Sequence, residues 1–147
     1  MTLNIRPPCP DDRPEWGRLW AGYLAYYETT LPDSVFDSTF ARLLGNDPQD
    51  FNGLIALLDG RPVGLAHYLF HRHAWKIENT CYLQDLFVDP ACRGQGVARS
   101  LIETIYGIAD AAGAPSVYWL TQEFNTPARQ LYDRIGTLTP FIKYARP

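Results

Sequence analysis

The stretch Arg93-Gly94-Gln95-Gly96-Val97-Ala98 carries the most specific chemistry in this chain. It follows a strand-like run, Tyr82 to Val88, and the turn Asp89-Pro90, and it opens a helix-like run from Arg99 to Ala112. Small residues at a strand-to-helix junction let several backbone N–H groups converge where the helix dipole is positive. That is a phosphate cradle built from main chain. A P-loop would need Gly-x-x-x-x-Gly-Lys-Ser/Thr, and no lysine is present here. A dinucleotide fingerprint would need a third glycine where Arg99 stands, close to the first strand of a βαβ unit, yet three strands precede the one that leads into this loop. What remains is Arg-x-x-Gly-x-Ala. On loop chemistry alone it is either a phosphate cradle or a helix start whose small residues serve close packing.

The elements around this loop read as follows. Thr2 to Arg6 is a short first strand, and Pro10-Asp11-Asp12 offers a cap to a helix. In that helix Trp16, Leu19, Trp20, Tyr23, Leu24 and Tyr27 recur at helical spacing. Leu31-Pro32-Asp33-Ser34 breaks it and caps a second helix, Val35 to Leu44, ended by Gly45-Asn46. Phe51 to Leu58 and Pro62 to Phe70 are strands joined at the hairpin dipeptide Asp59-Gly60. A polar loop, His71 to Asn79, leads to the strand before the glycine loop. After the break at Gly113-Ala114-Pro115 comes a strand, Ser116 to Thr121. Thr126-Pro127 then starts a helix that runs to Ile135 and stops at Gly136. Thr137 to Ala145 supplies one or two last strands. The sum is an α/β chain of the α+β kind, a mixed sheet with helices on both faces. The βαβ unit does not repeat regularly enough for a doubly wound fold.

Composition narrows the class. A chain of 147 residues, 46% hydrophobic and 20% charged, is expected to form one ordered domain over residues 1–147. A net charge of −3 with no Lys/Arg tract argues against an electrostatic nucleic-acid binder and is compatible with a cationic substrate. No apolar stretch is long enough for a membrane helix, and the first six residues lack the regions of a signal peptide. Cys9, Cys81 and Cys92 are odd in number and lack Cys-x-x-Cys spacing, which fits reduced thiols in the cytoplasm. His67, His71 and His73 alternate along one segment. They are read as polar strand positions, with no metal site expected.

Arg93 to Ala98 also resembles the central Gln/Arg-x-x-Gly-x-Gly/Ala motif of the GNAT superfamily of acetyl-CoA-dependent N-acetyltransferases. The resemblance extends to Tyr82-Leu83-Gln84-Asp85-Leu86-Phe87-Val88-Asp89-Pro90, which is similar to the preceding strand of the polyamine and histone-type branches. Phe124-Asn125-Thr126-Pro127-Ala128-Arg129-Gln130-Leu131-Tyr132 resembles the family's asparagine-to-tyrosine segment, and Tyr26-Tyr27-Glu28 echoes the polyamine branch. The resemblance implies a mixed, mostly antiparallel sheet of six or seven strands. It also implies acetyl transfer from acetyl-CoA directly to a primary amine. The expected order of acceptors is a polyamine or other small amine, then an amino acid, then a protein lysine. A non-catalytic acyl-CoA-binding regulatory module is the alternative.

The resemblance implies four tasks and distributes them. Amides from Gly94 through Arg99, Gln95 included, face the pyrophosphate, and Arg93 either pairs with phosphate or orders the loop. Backbone of Leu86, Phe87 and Val88 serves the pantetheine arm and the thioester oxygen, an oxyanion-hole device. Tyr132 protonates the leaving thiolate, and Asn125 contacts the pantetheine or caps a helix. On the substrate side stand Tyr27, Glu28, Gln84, Asp85 and Glu123, with Trp75 and Phe124 as further aromatic walls. Where the polyamine branch carries an acidic pair, this chain has Gln84-Asp85, and glutamine cannot accept a proton. A homodimer, built through the last strands, is also expected.

Overall fold

The computed structural model describes residues 1–147. Strand β1 (Leu3–Arg6) passes through a 3-10 turn at Pro10–Asp12 into helix α1 (Arg13–Tyr26), followed by α2 (Asp33–Leu44). Strands β2 (Asn52–Leu58), β3 (Arg61–His71) and β4 (Thr80–Val88) come next, then a second 3-10 turn at Pro90–Cys92. Helix α3 (Val97–Ala111), strand β5 (Val117–Tyr118) and helix α4 (Thr126–Ile135) complete the elements. The strands lie side by side in chain order. The first three pairings are antiparallel and β4–β5 is parallel.

Local sequence accounts for the joints. Asp59 and Gly60 both take positive φ, 52° and 80°, the twist a two-residue hairpin between β2 and β3 requires. Asp12 closes the first turn by accepting from the Arg6 guanidinium at 2.6 and 3.0 Å and from the Cys9 N–H at 2.8 Å. The Arg6 bonds hold its carboxyl down to about 2. Asn125 accepts from the Ala128 N–H and so starts α4, with Pro127 in its first turn.

Each sheet face has its own core, because alternate strand residues point to opposite sides. Trp16, Leu19, Trp20 and Leu24 of α1 and Phe40 and Leu43 of α2 close over Ile55 and Leu65. On the other face Leu101, Ile102, Ile105 and Ala109 of α3 bury against Leu54, Ala56 and Leu83. Leu131, Tyr132 and Ile135 of α4 pack at the margin of that second core.

Three expectations are corrected. The sheet has five strands, not six or seven. Strand β5 covers Val117–Tyr118 only, and no strand forms within Thr137–Ala145, where Leu138, Phe141, Ile142 and Tyr144 are exposed. Strand pairing needs a neighbouring edge to take its N–H and C=O groups, and within one chain that last segment meets none. The third correction concerns His73, which lies past the end of β3, whereas His67 and His71 are strand residues and His67 is buried at 4% exposure beneath α1. No helix is long and apolar enough to cross a membrane.

Candidate active site

Strands β4 and β5 pair at only two positions, Cys81↔Val117 and Tyr82↔Tyr118. On its other side β4 stays paired with β3 as far as Val88. From Leu83 onward, therefore, one edge of β4 has no strand beside it. A cavity of about 690 Å³ occupies the opening. Tyr23, Tyr26 and Tyr27 reach it from the end of α1, Leu86, Phe87 and Val88 from β4, Gly94 and Gly96 to Arg99 from the glycine loop and the start of α3, and Asn125, Tyr132 and Arg134 from the cap and body of α4. The gap thus joins the two faces of the sheet.

A bulge in β4 decides which side chains see this cavity. The register pairs Leu83 with Tyr68 and Asp85 with His67, leaving Gln84 without a partner. Before the bulge Cys81 and Leu83 face the α3 core, and after it Leu86 and Val88 do. Phe87 faces α1. An extra residue reverses the alternation, as bulges do. Gln84 is turned to the cavity, and Asp85 goes under α1 instead of lying on the α3 side with Leu83.

The glycine loop presents main chain. Gly94 and Gly96 hold φ of 78° and 80°, and a Cβ on either would stand in open space. Gly96 is the N-cap of α3 and supplies no side chain to its first amides, so the N–H groups that open the helix are free for an anion. Arg93 is committed elsewhere. Its Nε donates to the Val88 carbonyl at 3.2 Å and its guanidinium lies over the Phe87 ring, which ties the loop to the end of β4.

Across the gap, Tyr132 packs edge-on against Trp119 with ring centroids 5.4 Å apart. Burial first, then the neighbouring phenols of Tyr27 and Tyr26, push its pKa up to about 12. It therefore stays protonated through the neutral range and is available as a proton donor.

Of the residues expected in the site, Leu86, Phe87, Val88, Arg93, Gly94, Gly96, Val97, Ala98, Arg99, Asn125, Tyr132, Tyr27 and Gln84 border the cavity. Gln95 does not, because it points from the loop to solvent. Glu28 and Glu123 are exposed and do not line the cavity, although Tyr27 and Phe124 beside them do. Glu28 lies past the end of α1 with φ 57°, and the Glu123 carbonyl accepts from Arg129. Asp85 is buried and off the lining. Phe124 borders the cavity, whereas Trp75 is 88% exposed on the β3–β4 loop and does not. Tyr23, Tyr26, Trp119 and Arg134 are additions that sequence reasoning missed. Tyr23 sits four residues before Tyr27, and that i,i+4 spacing was the available signal.

The histidines serve separate local contacts. His67 bonds inside the core, His71 accepts or donates to Tyr118 Oη at 2.9 Å, and His73 Nδ1 accepts from the Trp75 N–H. All three cysteines are free, and burial pushes the Cys81 thiol up to about 11.

Known proteins share this arrangement. The sequence profile of the acetyltransferase (GNAT) family matches residues 16–137. The D-amino-acid N-acetyltransferase HPA3 of Saccharomyces cerevisiae is 36% identical over 138 residues, 93% of this chain and 86% of the yeast protein. A thialysine N-epsilon-acetyltransferase of Bos taurus is 32% identical over 74 residues, 50% of this chain and 43% of that protein. In solved structures the fold is shared with AAC(6')-Iy in complex with the bisubstrate analog CoA-S-monomethyl-acetylneamine. The TM-score is 0.85 at 20% identity, covering 100% of this chain and 99% of that one. With the profile matching most of its length and this relative along nearly all of it, the chain belongs to the acetyltransferase (GNAT) family and is an N-acetyltransferase.

Proposed function

We propose that the protein moves the acetyl group of acetyl-CoA directly to the primary amine of a small molecule, and that an amino acid is a better acceptor than a polyamine. One observation carries the reading. The unpaired edge of β4, the free amides opening α3 and the Tyr132 phenol all border a single cavity. When bound, acetyl-CoA supplies an activated thioester. The amides of Gly94 to Arg99 would hold its pyrophosphate, and the small residues there suit such a fit because a Cβ at Gly94 or Gly96 would project into that space. Backbone N–H groups of the free β4 edge, at Leu86 to Val88, would take up negative charge developing on the carbonyl oxygen. Tyr132 would give its proton to the departing sulfur.

The acceptor preference comes from charge. Arg93, Arg99 and Arg134 border the cavity, and no aspartate or glutamate does. A polycation would meet like charge there, with only Arg99 offset, by Glu103 at 2.7 Å. An amine with its own carboxylate would meet a cation, and the yeast relative's name points the same way. Purified protein given acetyl-CoA and a panel of amino acids of both hands, polyamines and a lysine peptide should release thiol fastest with amino acids. Coenzyme binding with no release for any amine would instead indicate a binding module.

The assembly is proposed to be a homodimer in the cytoplasm. The outer edge of β5 has no strand beside it, and Phe141, Ile142 and Tyr144 stand 77–89% exposed in the last segment. A second copy could cover both. Light scattering should give twice the chain mass, and the single-chain mass would remove the dimer. The free thiols fit a reducing compartment.

A further inference from the structure

Beneath α1, on the sheet face opposite α3, Trp16, Trp20, His67 and Asp85 are buried together. A buried carboxylate has to be hydrogen-bonded or paired, and no lysine or arginine pairs with Asp85. Its Oδ2 accepts from Trp20 Nε1 at 3.3 Å and meets His67 Nδ1 at 2.8 Å. Trp16 Nε1 bonds His67 Nε2 at 2.9 Å, and an indole N–H can only donate. His67 Nε2 is therefore the bare nitrogen, and Nδ1 carries the proton that is shared with Asp85. Three bonds thus tie α1, β3 and β4 together, and Asp85 Oδ1 stays outside the network.

The network sits where the site is shaped. His67 and Asp85 are cross-strand partners at the bulge, with the register shift beside them and Gln84 left over. Holding Asp85 under α1 forces the extra residue outward at Gln84, which borders the cavity. Without that hold, regular alternation would put Asp85 on the α3 side with Leu83, and Gln84 under α1. On the helix, Trp16, Trp20, Tyr23 and Tyr27 share one face by their spacing, and the last two border the cavity. The seating of α1 is close. A Cβ on Gly22 would stand 2.9 Å from the ring of Phe87, itself a cavity residue. Helix α3 packs in the other core, so the coenzyme side does not depend on these bonds.

We propose that Asp85 and His67 are positioning residues for acetyl transfer. Their bonds to Trp20 and Trp16 hold the bulge that turns Gln84 toward the acceptor and seat the tyrosine wall of α1. The carboxylate serves as a hydrogen-bond acceptor and not as a base. The inference rests on the acetyl-transfer reading above. Geometry separates the two roles of the carboxylate. Because Oδ2 takes both bonds and Oδ1 neither, an asparagine with its amide oxygen at the Oδ2 position keeps both and removes only the charge. Alanine removes both bonds and strands two buried N–H donors.

Asp85→Asn and Asp85→Ala are compared with wild type by calorimetry for acetyl-CoA affinity and by kcat and KM for the best amine of the panel. Asp85→Ala should lose about 10- to 100-fold in kcat/KM for the amine, as expected when reacting groups are displaced by ~1 Å. Its acetyl-CoA affinity should be unchanged. Asp85→Asn should restore kcat/KM to within about threefold of wild type, because both bonds survive. Trp20→Phe keeps a ring against Trp16 and Phe36 and removes one donor, so it carries the test even if Asp85→Ala does not fold. Its amine KM should rise with acetyl-CoA affinity unchanged. A loss in Asp85→Asn as deep as in Asp85→Ala would give the charge a part in the reaction and overturn the proposal. Equal losses of acetyl-CoA affinity and amine kcat/KM in Trp20→Phe, the mark of a merely structural role, would overturn it too, as would no loss in any variant. The ring-nitrogen NMR shifts of His67 report the network without turnover. A proton on Nδ1 is expected, and one on Nε2 would overturn the network itself. Wild-type protein inactive with every amine, with the Nδ1 proton in place, would instead overturn the acetyl-transfer reading and the positioning role that rests on it.

Discussion

Tyr132→Phe should lower turnover about 100- to 1,000-fold, the usual worth of a positioned general acid, while leaving the affinity for acetyl-CoA unchanged. The size follows from where the phenol stands. It is the cavity-lining hydroxyl on α4, and burial holds its pKa at about 12, so the donor form is complete throughout the neutral range. A thiolate leaving without a donor must depart as an anion into a half-buried space, which costs desolvation. The substitution deletes one oxygen and keeps the ring against Trp119, so fold and coenzyme contacts should persist. Two measurements check it: steady-state thiol release for kcat, and calorimetry for acetyl-CoA affinity. The sign of the pH effect is also set. A phenol raised to about 12 loses its proton only well above neutrality, so no fall in wild-type turnover near neutral pH belongs to Tyr132. Full activity in Tyr132→Phe would take the acid role away from it.

The other large effect is expected at Gly96. Gly96→Val should weaken acetyl-CoA binding more than about 100-fold, through two physical causes that can be separated. One is backbone strain. A β-branched residue at φ 80° costs about 1–2 kcal/mol. The other is steric. A side chain there projects into the open space before the first amides of α3 and bars an anion from them. Gly113→Val is the control, since Gly113 also has positive φ, 70°, and open space, but lies just beyond the far end of α3. Both variants should lose similar stability in urea melts, and only Gly96→Val should lose acetyl-CoA binding by calorimetry. Equal binding in the two would show that the loop does not carry the phosphates.

The tyrosines of the site form one group. Tyr23 and Tyr27 have ring centroids 5.1 Å apart, Tyr26 and Tyr27 5.0 Å. After burial, the Tyr27 and Tyr26 phenols also raise Tyr132. Substitutions among them will therefore not be additive, because each changes the field and packing of the next.

Local chemistry was readable from the chain alone wherever neighbours in sequence settle the matter. Asp59-Gly60 makes its hairpin because both residues tolerate positive φ, and Thr126–Ile135 forms the helix that Asn125 and Pro127 announce. The glycine loop opens α3 because glycines at 94 and 96 tolerate the positive φ that the turn takes. Tertiary structure alone decided the rest. The bulge at Gln84, which sends Asp85 under α1, depends on register against β3, and a register is a property of two strands. The bond from Trp16 to His67 spans 51 positions and the one from Trp20 to Asp85 spans 65, so no local pattern could reveal either. The shortness of β5 and the unpaired last segment likewise reflect which edges are within reach. Sequence determined which backbone groups could bind a phosphate, because helix starts and turns are short-range. Packing decided that Asp85 sits under α1 against His67 and Trp20, because that took three distant segments brought together.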